Sequence, residues 1–400
     1  MKKNHENNPP YTIGVVTGTR ADYHLLYPLL KRIWESDRYT LRLIVTGAHL
    51  SPCYGETVRD IEKDGIPIGD KIPILSDRDS VSDIHEAMSR GFVGFDRCFR
   101  ECRPDILILL GDRYEILAAA FVAMNYHIPI AHIAGGETTE GAIDESIRHS
   151  VTKMSTIHFP TCEVYRRRVI QLGESPDRVF NVGGLGIENI RLTERLELSE
   201  LERKLDFDLQ GGFAVFTYHP VTLGERDVAD DFGEVLAAMD EFADLKILFT
   251  KANADSGGQI INRMIDEYAD RHPEWCKTVY SLGLTGYLSA LSSAEVVIGN
   301  SSSGLSETPP FHVPTVNIGD RQKGRIIPEN VICCTTTRED IVRAVNEARS
   351  VEFRGKAAAA ENPFGDGHTS ERILEKLDYF FEHMDKFSLK KQFFDIENGL

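Results

Sequence analysis

TIGVVTGTRADYHLLYPLLKRIWES, residues 12–36, contains a strand, a tight turn and a helix in succession. The apolar run Thr12–Gly18 suits a buried strand. From Ala21 to Ser36 the apolar positions Leu25, Leu26, Leu29, Leu30 and Ile33 recur at helical spacing. The unit then repeats. Further strand-like runs lie at Leu41–Gly47, Asp105–Gly111, Ile128–Ile133, Thr156–Pro160 and Val179–Val182. Helical patterns lie at Glu115–Asn125, Ile143–Met154 and Glu163–Leu172. The first of these is apolar almost all round, which predicts a buried helix. Strands alternating with helices imply a parallel sheet covered on both faces.

The alternation breaks at Asn189–Asp208, which is charged, helix-prone and poor in strand formers. It resumes with strands expected at Phe213–Tyr218, Leu245–Thr250, Thr278–Ser281, Val296–Gly299, Thr315–Ile318 and Val331–Cys333. Helices are expected at Asp227–Phe242, Gln259–Arg271, Thr285–Leu291, Arg338–Ala348 and Ser370–His383. The domain boundary falls near Gly184–Leu192. The expected organisation is a flexible N-terminus at 1–10, one α/β domain at 11–188, a second at 189–384, and a polar tail at 385–400 carrying Phe387, Phe393 and Phe394. A cleft between two such halves is the natural place for a ligand, beyond the carboxyl ends of the strands.

Composition narrows the function. The 400 residues are 42% hydrophobic and 27% charged, with a formal net charge of -17. Such an acidic surface repels nucleic acid and anionic lipid, so neither is an expected partner. A phosphorylated ligand would have to be met by local arginines or backbone N–H groups. Met1–Pro10 has no apolar core of a signal peptide, and no run reaches the ~18 apolar residues of a membrane span. A cytoplasmic location is the expectation. The seven cysteines include no CxxC pair and read as reduced, mostly packing thiols. No close Cys/His group has zinc-ligand spacing.

The chemistry-bearing residues follow the strands. Thr17-Gly18-Thr19-Arg20 can hold an anion at a helix N-terminus, with Arg20 adding a charged donor; alternatively Arg20 faces solvent. In Gly111-Asp112-Arg113, Asp112 can serve as general acid or base and Arg113 can bind phosphate. The competing reading makes Asp112 a helix cap with Glu115 completing a capping box. His132–Glu137 brings paired glycines and Glu137, and leads to Asp144, Glu145, Arg148 and His149. Asp144 with Arg148, and Glu145 with His149, are i,i+4 pairs that can equally be surface ion pairs. His219 ends a strand of the second half and suits proton transfer near neutrality. Asn253 follows the next strand. Gly299-Asn300-Ser301-Ser302-Ser303-Gly304 is a small-residue turn whose N–H groups and hydroxyls can cradle a diphosphate, with Glu307 placed for ribose hydroxyls. Arg321 lies in a cationic loop after the following strand.

These segments, TGTRADY (17–23), GDRYEI (111–116), IDESIRHSVTKMS (143–155), RVIQLGE (168–174), HPVT (219–222), NADSG (253–257), IGNSSSGL (298–305) and NIGDRQKGR (317–325), resemble in order the hydrolysing UDP-N-acetylglucosamine 2-epimerases of sialic acid biosynthesis. The resemblance implies a glycosyltransferase-B-like fold of two Rossmann-like domains and a homodimer or homotetramer. Its implied reaction converts UDP-GlcNAc and water to N-acetylmannosamine and UDP by anti elimination of UDP and hydration of a 2-acetamidoglucal. No redox cofactor or metal is implied. Arg20, Arg113, Ser301, Ser302, Glu307 and Arg321 are the implied UDP ligands, His219 and Asn253 line the nucleotide side, and Asp112 and Asp144 serve the sugar.

One position departs from the family. Many members carry a catalytic glutamate where this chain has Ala134. Glu137, or a redistribution among Asp112, Asp144 and His219, is expected to cover that role. The departure also opens the sugar's identity, because a branch acting on UDP-2,4-diacetamido-2,4,6-trideoxyglucose for legionaminic acid has nearly the same motifs. The rival readings are a non-hydrolysing epimerase, a glycosyltransferase on the same fold and a non-catalytic UDP-sugar-binding regulator.

Overall fold

The computed structural model describes residues 10–52, 55–76, 81–138, 143–220, 228–251, 258–279 and 282–396. They form two compact units, 1–189 with 364–400, and 190–363.

The first unit is built on β1 (Tyr11–Thr17), β2 (Tyr39–Thr46), β3 (Ile68–Ile72), β4 (Ile106–Leu110), β5 (Ile130–Ile133) and β6 (Ile157–Phe159). They pair in parallel in the order β3-β2-β1-β4-β5-β6. The period-2 alternation of a strand divides the core between the faces. Ile13, Val15, Leu43, Val45, Ile106 and Ile108 pack with helix Arg20–Trp34. Val16, Ile44, Leu107 and Leu109 pack on the opposite face with helices Val81–Glu101 and Tyr114–Asn125.

The second unit repeats the plan with β7 (Phe213–Thr217), β8 (Lys246–Thr250), β9 (Cys276–Val279), β10 (Val296–Gly299), β11 (Thr315–Ile318) and β12 (Val331–Cys334). Their order, β12-β11-β10-β7-β8-β9, is the same doubly wound order read from the other edge. The strand order reverses between β1 and β4 in one sheet and between β7 and β10 in the other. These are the two places where open α/β sheets hold ligands.

Three expectations need correction. Val179–Val182 is not a strand: Val179 makes only an isolated bridge to His158. The edge strand β3 and the long helix Val81–Glu101 were not anticipated. β3 lacks an apolar run, since Gly69, Asp70 and Lys71 interrupt it. The helix carries Gly91 and Gly94 on its packing face, where a Cβ on Gly94 would stand 2.3 Å from Ile72.

The third correction concerns 189–384. Helix Thr369–Glu382 does not belong with the second sheet. It buries Ile373, Leu377, Phe380 and Phe381 in the first unit's core. Ser370 donates from its N–H and hydroxyl to the fully buried Glu188, at 2.7 and 2.6 Å, and Thr369 donates to the Gly184 carbonyl at 3.0 Å. The residues after it are no free tail either, since Phe387 is buried in the same core. Among the described residues no helix is long and apolar enough to cross a membrane.

Candidate functional site

In the first unit, the turn after β1 is shaped by a buried carboxylate. Thr19 caps helix Arg20–Trp34 by accepting from the Asp22 N–H at 3.2 Å. Beneath this turn lies Glu115, 1% exposed. A Cβ on Gly18 would stand 2.4 Å from its Oε1, so only glycine fits. Arg113 donates from Nε to the same oxygen at 2.5 Å. Burial opposes the Arg113 charge, but Glu115 and Asp22 more than offset it and hold the guanidinium above its usual range. Burial, with Glu115 nearby, pushes the Asp22 carboxyl up. Glu115 is therefore no capping partner of Asp112: Arg113 takes the N-cap position of helix Tyr114–Asn125 without a side-chain cap bond. Arg20 stands exposed at the start of its helix.

Asp112, at the end of β4, is ion-paired instead with Arg148. Arg148 is 4% exposed; it also donates to the Glu137 carbonyl at 2.8 Å and to Glu145 at 3.1 Å. The expected Asp144–Arg148 pair does not form, and Asp144 is exposed in the first turn of helix Ile143–Met154. Glu145 does pair with His149, at 3.1 Å. The other ring nitrogen of His149, Nδ1, is buried without a hydrogen-bond partner among the described residues. Glu137 accepts from the Thr161 hydroxyl at 3.0 Å. The loop that carries it turns through Ala134, at φ 64°, and Gly136, at φ 82°; a Cβ on Gly136 would meet the Tyr165 carbonyl at 2.5 Å. His132 ties this loop's strand to the Asp112 turn. Its Nε2 lies 2.8 Å from the Gly111 carbonyl, which can only accept, so Nε2 carries the proton and Nδ1 accepts from Thr152 at 3.1 Å. Complete burial pushes the His132 pKa down to about 3, which keeps the ring neutral.

In the second unit, the β7/β10 switch point is locked by Asn300. Its side chain accepts from the His219 N–H at 2.7 Å and donates to the His219 carbonyl at 2.8 Å. Its own carbonyl accepts from Gln322 at 2.8 Å and from Arg321 at 3.4 Å. One buried amide thus joins the His219 strand end, the serine turn and the Arg321 loop. Gly299 adopts φ 141°, and a Cβ there would lie 1.8 Å from the Thr217 carbonyl. The turn leads through Ser301 and Ser302 into the short helix Ser303–Ser306. Ser301, Ser303, Gly299, Thr217 and Tyr287 line a small pocket. Tyr287 is hydrogen-bonded to Ser303, and burial pushes its phenol up to about 12. Burial likewise raises the Glu307 carboxyl, with a Ser303 hydrogen bond opposing it. Asn253 lies outside the described residues, as do 221–227. Among the described residues no group of three or more His, Cys, Asp or Glu is placed to hold a metal.

Sequence reasoning had Asn300 and Gln322 inside the expected motifs without a role for either, read Glu115 as a cap partner, and missed Tyr287. For Glu115 a further signal was present, a carboxylate inside an otherwise apolar helix.

Comparison with known proteins agrees with this geometry. The family model "UDP-N-acetylglucosamine 2-epimerase" matches residues 31–378. The GDP/UDP-N,N'-diacetylbacillosamine 2-epimerase (hydrolyzing) of Campylobacter jejuni is 41% identical over 86% of this chain and 88% of its own. Polysialic acid biosynthesis protein P7 of Escherichia coli is 37% identical over 95% and 96%. The crystal structure of UDP-GlcNAc 2-epimerase from Neisseria meningitidis bound to UDP-GlcNAc has a TM-score of 0.76 at 16% identity, covering 92% of this chain and 100% of that one. The fold is glycosyltransferase-B-like, with two Rossmann-like domains. Two doubly wound sheets with polar groups at both switch points, and a family match across most of the length, make this chain a member of the UDP-N-acetylglucosamine 2-epimerase family.

Proposed function

We propose that this protein is a hydrolysing 2-epimerase of a UDP-2-acetamido sugar. Its leading substrate is UDP-N,N'-diacetylbacillosamine, the 2,4-diacetamido-trideoxy sugar nucleotide, with UDP-GlcNAc second. The order follows the printed activity of the Campylobacter jejuni relative at 41% identity. The observation that carries the reaction class is Asp112, a carboxylate at a switch point, held by the buried Arg148 beside Glu145 and His149.

In the proposed reaction a base removes the C2 proton while the C1–O bond breaks and its electrons leave with UDP. Water then adds, with hydroxyl to C1 and a proton to C2 from the opposite face. Free 2-epimeric sugar and UDP result. Asp112 is the proposed base. Glu137, Asp144 and His219 are candidates for delivering the second proton, because Ala134 has no ionisable group. Arg148 orients Asp112 through their ion pair. Ser301, Ser302, Arg321 and the backbone after Gly299 are proposed to hold the diphosphate, Glu307 and Asn253 the nucleoside, and Arg20 and Arg113 the charge that develops on departing UDP.

Proton NMR with each sugar nucleotide in D2O tests the proposal. The expected products are UDP and a free sugar inverted and deuterated at C2, formed faster from the diacetamido substrate. Faster turnover of UDP-GlcNAc would exchange the two substrates. Release of an intact UDP-linked epimer would make the enzyme non-hydrolysing, and no turnover of either would refute catalysis.

A further inference from the structure

The chain is strongly acidic, yet one concavity of the first unit is cationic. It has a volume of about 1000 Å³ and is lined by Arg166, Arg178, Lys376, Lys386, Lys390 and Lys391. It shares no residue with the groups that follow β1, β4 and β5. Three acids also line it, and two of these are occupied. Glu174, 2% exposed, is shared by His158, Lys153 and Lys391 at 2.6–3.0 Å. Glu163 pairs with Arg166 and Arg167.

The third, Asp177, makes no ion pair among the described residues, so one carboxylate faces the remaining cations. Arg178 donates to the carbonyls of Ser388 and Lys386 at 3.0 and 3.1 Å and sits over the Phe387 ring. Lys386 lies over the Tyr379 ring. None of Arg178, Lys386 and Lys390 has a carboxylate partner among the described residues. Burial holds Arg178 below its usual range, and the Glu174 charge only partly offsets this. Crowding uncompensated positive charge costs free energy that a bound anion would relieve. The volume is at the upper end of the ~300–1000 Å³ of small-molecule sites, and the cations line a recess, which suits a compact ligand better than a flat macromolecular surface.

We propose that this recess, closed on one side by the C-terminal segment, is a second ligand site for a small polyanion bearing two or more phosphate charges. The ligand sits between Arg178 on the body of the unit and Lys386 and Lys390 of the segment, and fixes that segment in place.

Isothermal titration calorimetry of the full chain with inorganic pyrophosphate tests this, with and without saturating UDP. The comparison pairs the double variant K386E/K390E with a charge-matched control, K31E/K63E. The expected result is a pyrophosphate site that persists in UDP, weakens at least about tenfold in K386E/K390E, stays within about twofold in the control, and weakens with salt. Absence of binding, complete displacement by UDP, or equal weakening in the control would overturn it. Because the readout is binding without UDP as well as with it, the result stands apart from the fate of the epimerase proposal.

Discussion

Single atoms decide the geometry of both switch points. The clearest case is Gly299, where any Cβ would overlap the Thr217 carbonyl at 1.8 Å. Gly299→Ala should push the serine turn away from β7 and weaken UDP binding by about tenfold or more, while circular dichroism shows a folded chain. Unchanged calorimetric affinity would show that the turn does not hold UDP. Asp112→Asn keeps the shape and removes the charge opposite Arg148; turnover should fall by ~10²–10⁴, with KM changing much less. His132 supplies a pH signature. Its pKa is about 3 in the fold against 6.5 when exposed, so the unfolded chain binds the extra proton between those values. Its contribution is full above about pH 6.5 and is lost as pH falls toward 3, by about 2 kcal/mol at pH 5. His49, lowered to about 4 by burial, acts in the same direction. Urea melts at pH 7 and pH 5 should show a smaller pH difference in His132→Gln than in the parent.

At the scale of elements, the C-terminal segment shows how local reading can mislead. Residues 385–396 look like a polar tail, yet Phe387 is buried, and the Phe394 N–H donates to the Gly173 carbonyl at 3.0 Å. Lys391 reaches Glu174 and the carbonyls of Lys153 and Ser155 at 2.7–2.9 Å. The His158 and lysine bonds outweigh the burial of Glu174 and hold its carboxyl at about 2. Lys391→Ala should leave that carboxylate one cation short and two carbonyls unpaired, costing about 2 kcal/mol. Differential scanning calorimetry at pH 7 would measure it, and an unchanged Tm would mean that water replaces the amine. Expectation succeeded for the central strands, where apolar runs are unbroken. It failed for β3, because an edge strand exposes half its residues and needs no such run.

At the scale of the molecule, the two units are interleaved in sequence. Residues 190–363 should therefore unfold cooperatively when produced alone. Residues 1–189 should not, since they lack helix Thr369–Glu382 and the core positions it fills, and should recover when 364–400 are added. Thermal melts of the three preparations test this. The doubly wound plan was legible because period-2 and period-3.6 patterns are local properties of the chain. The candidate motifs were legible because each follows a strand within a few residues. Their internal pairings were not. Asp112 with Arg148, Glu115 beneath Gly18, and Asn300 across to His219 join residues from different strands and helices, and many local alternatives were equally good. Only packing, which removes water and limits the partners a buried polar group can reach, selected among them. The same reason assigned the last helix to the first sheet: its apolar face reads alike for either core, and the bonds of Thr369 and Ser370 to Gly184 and Glu188 tie it to the first.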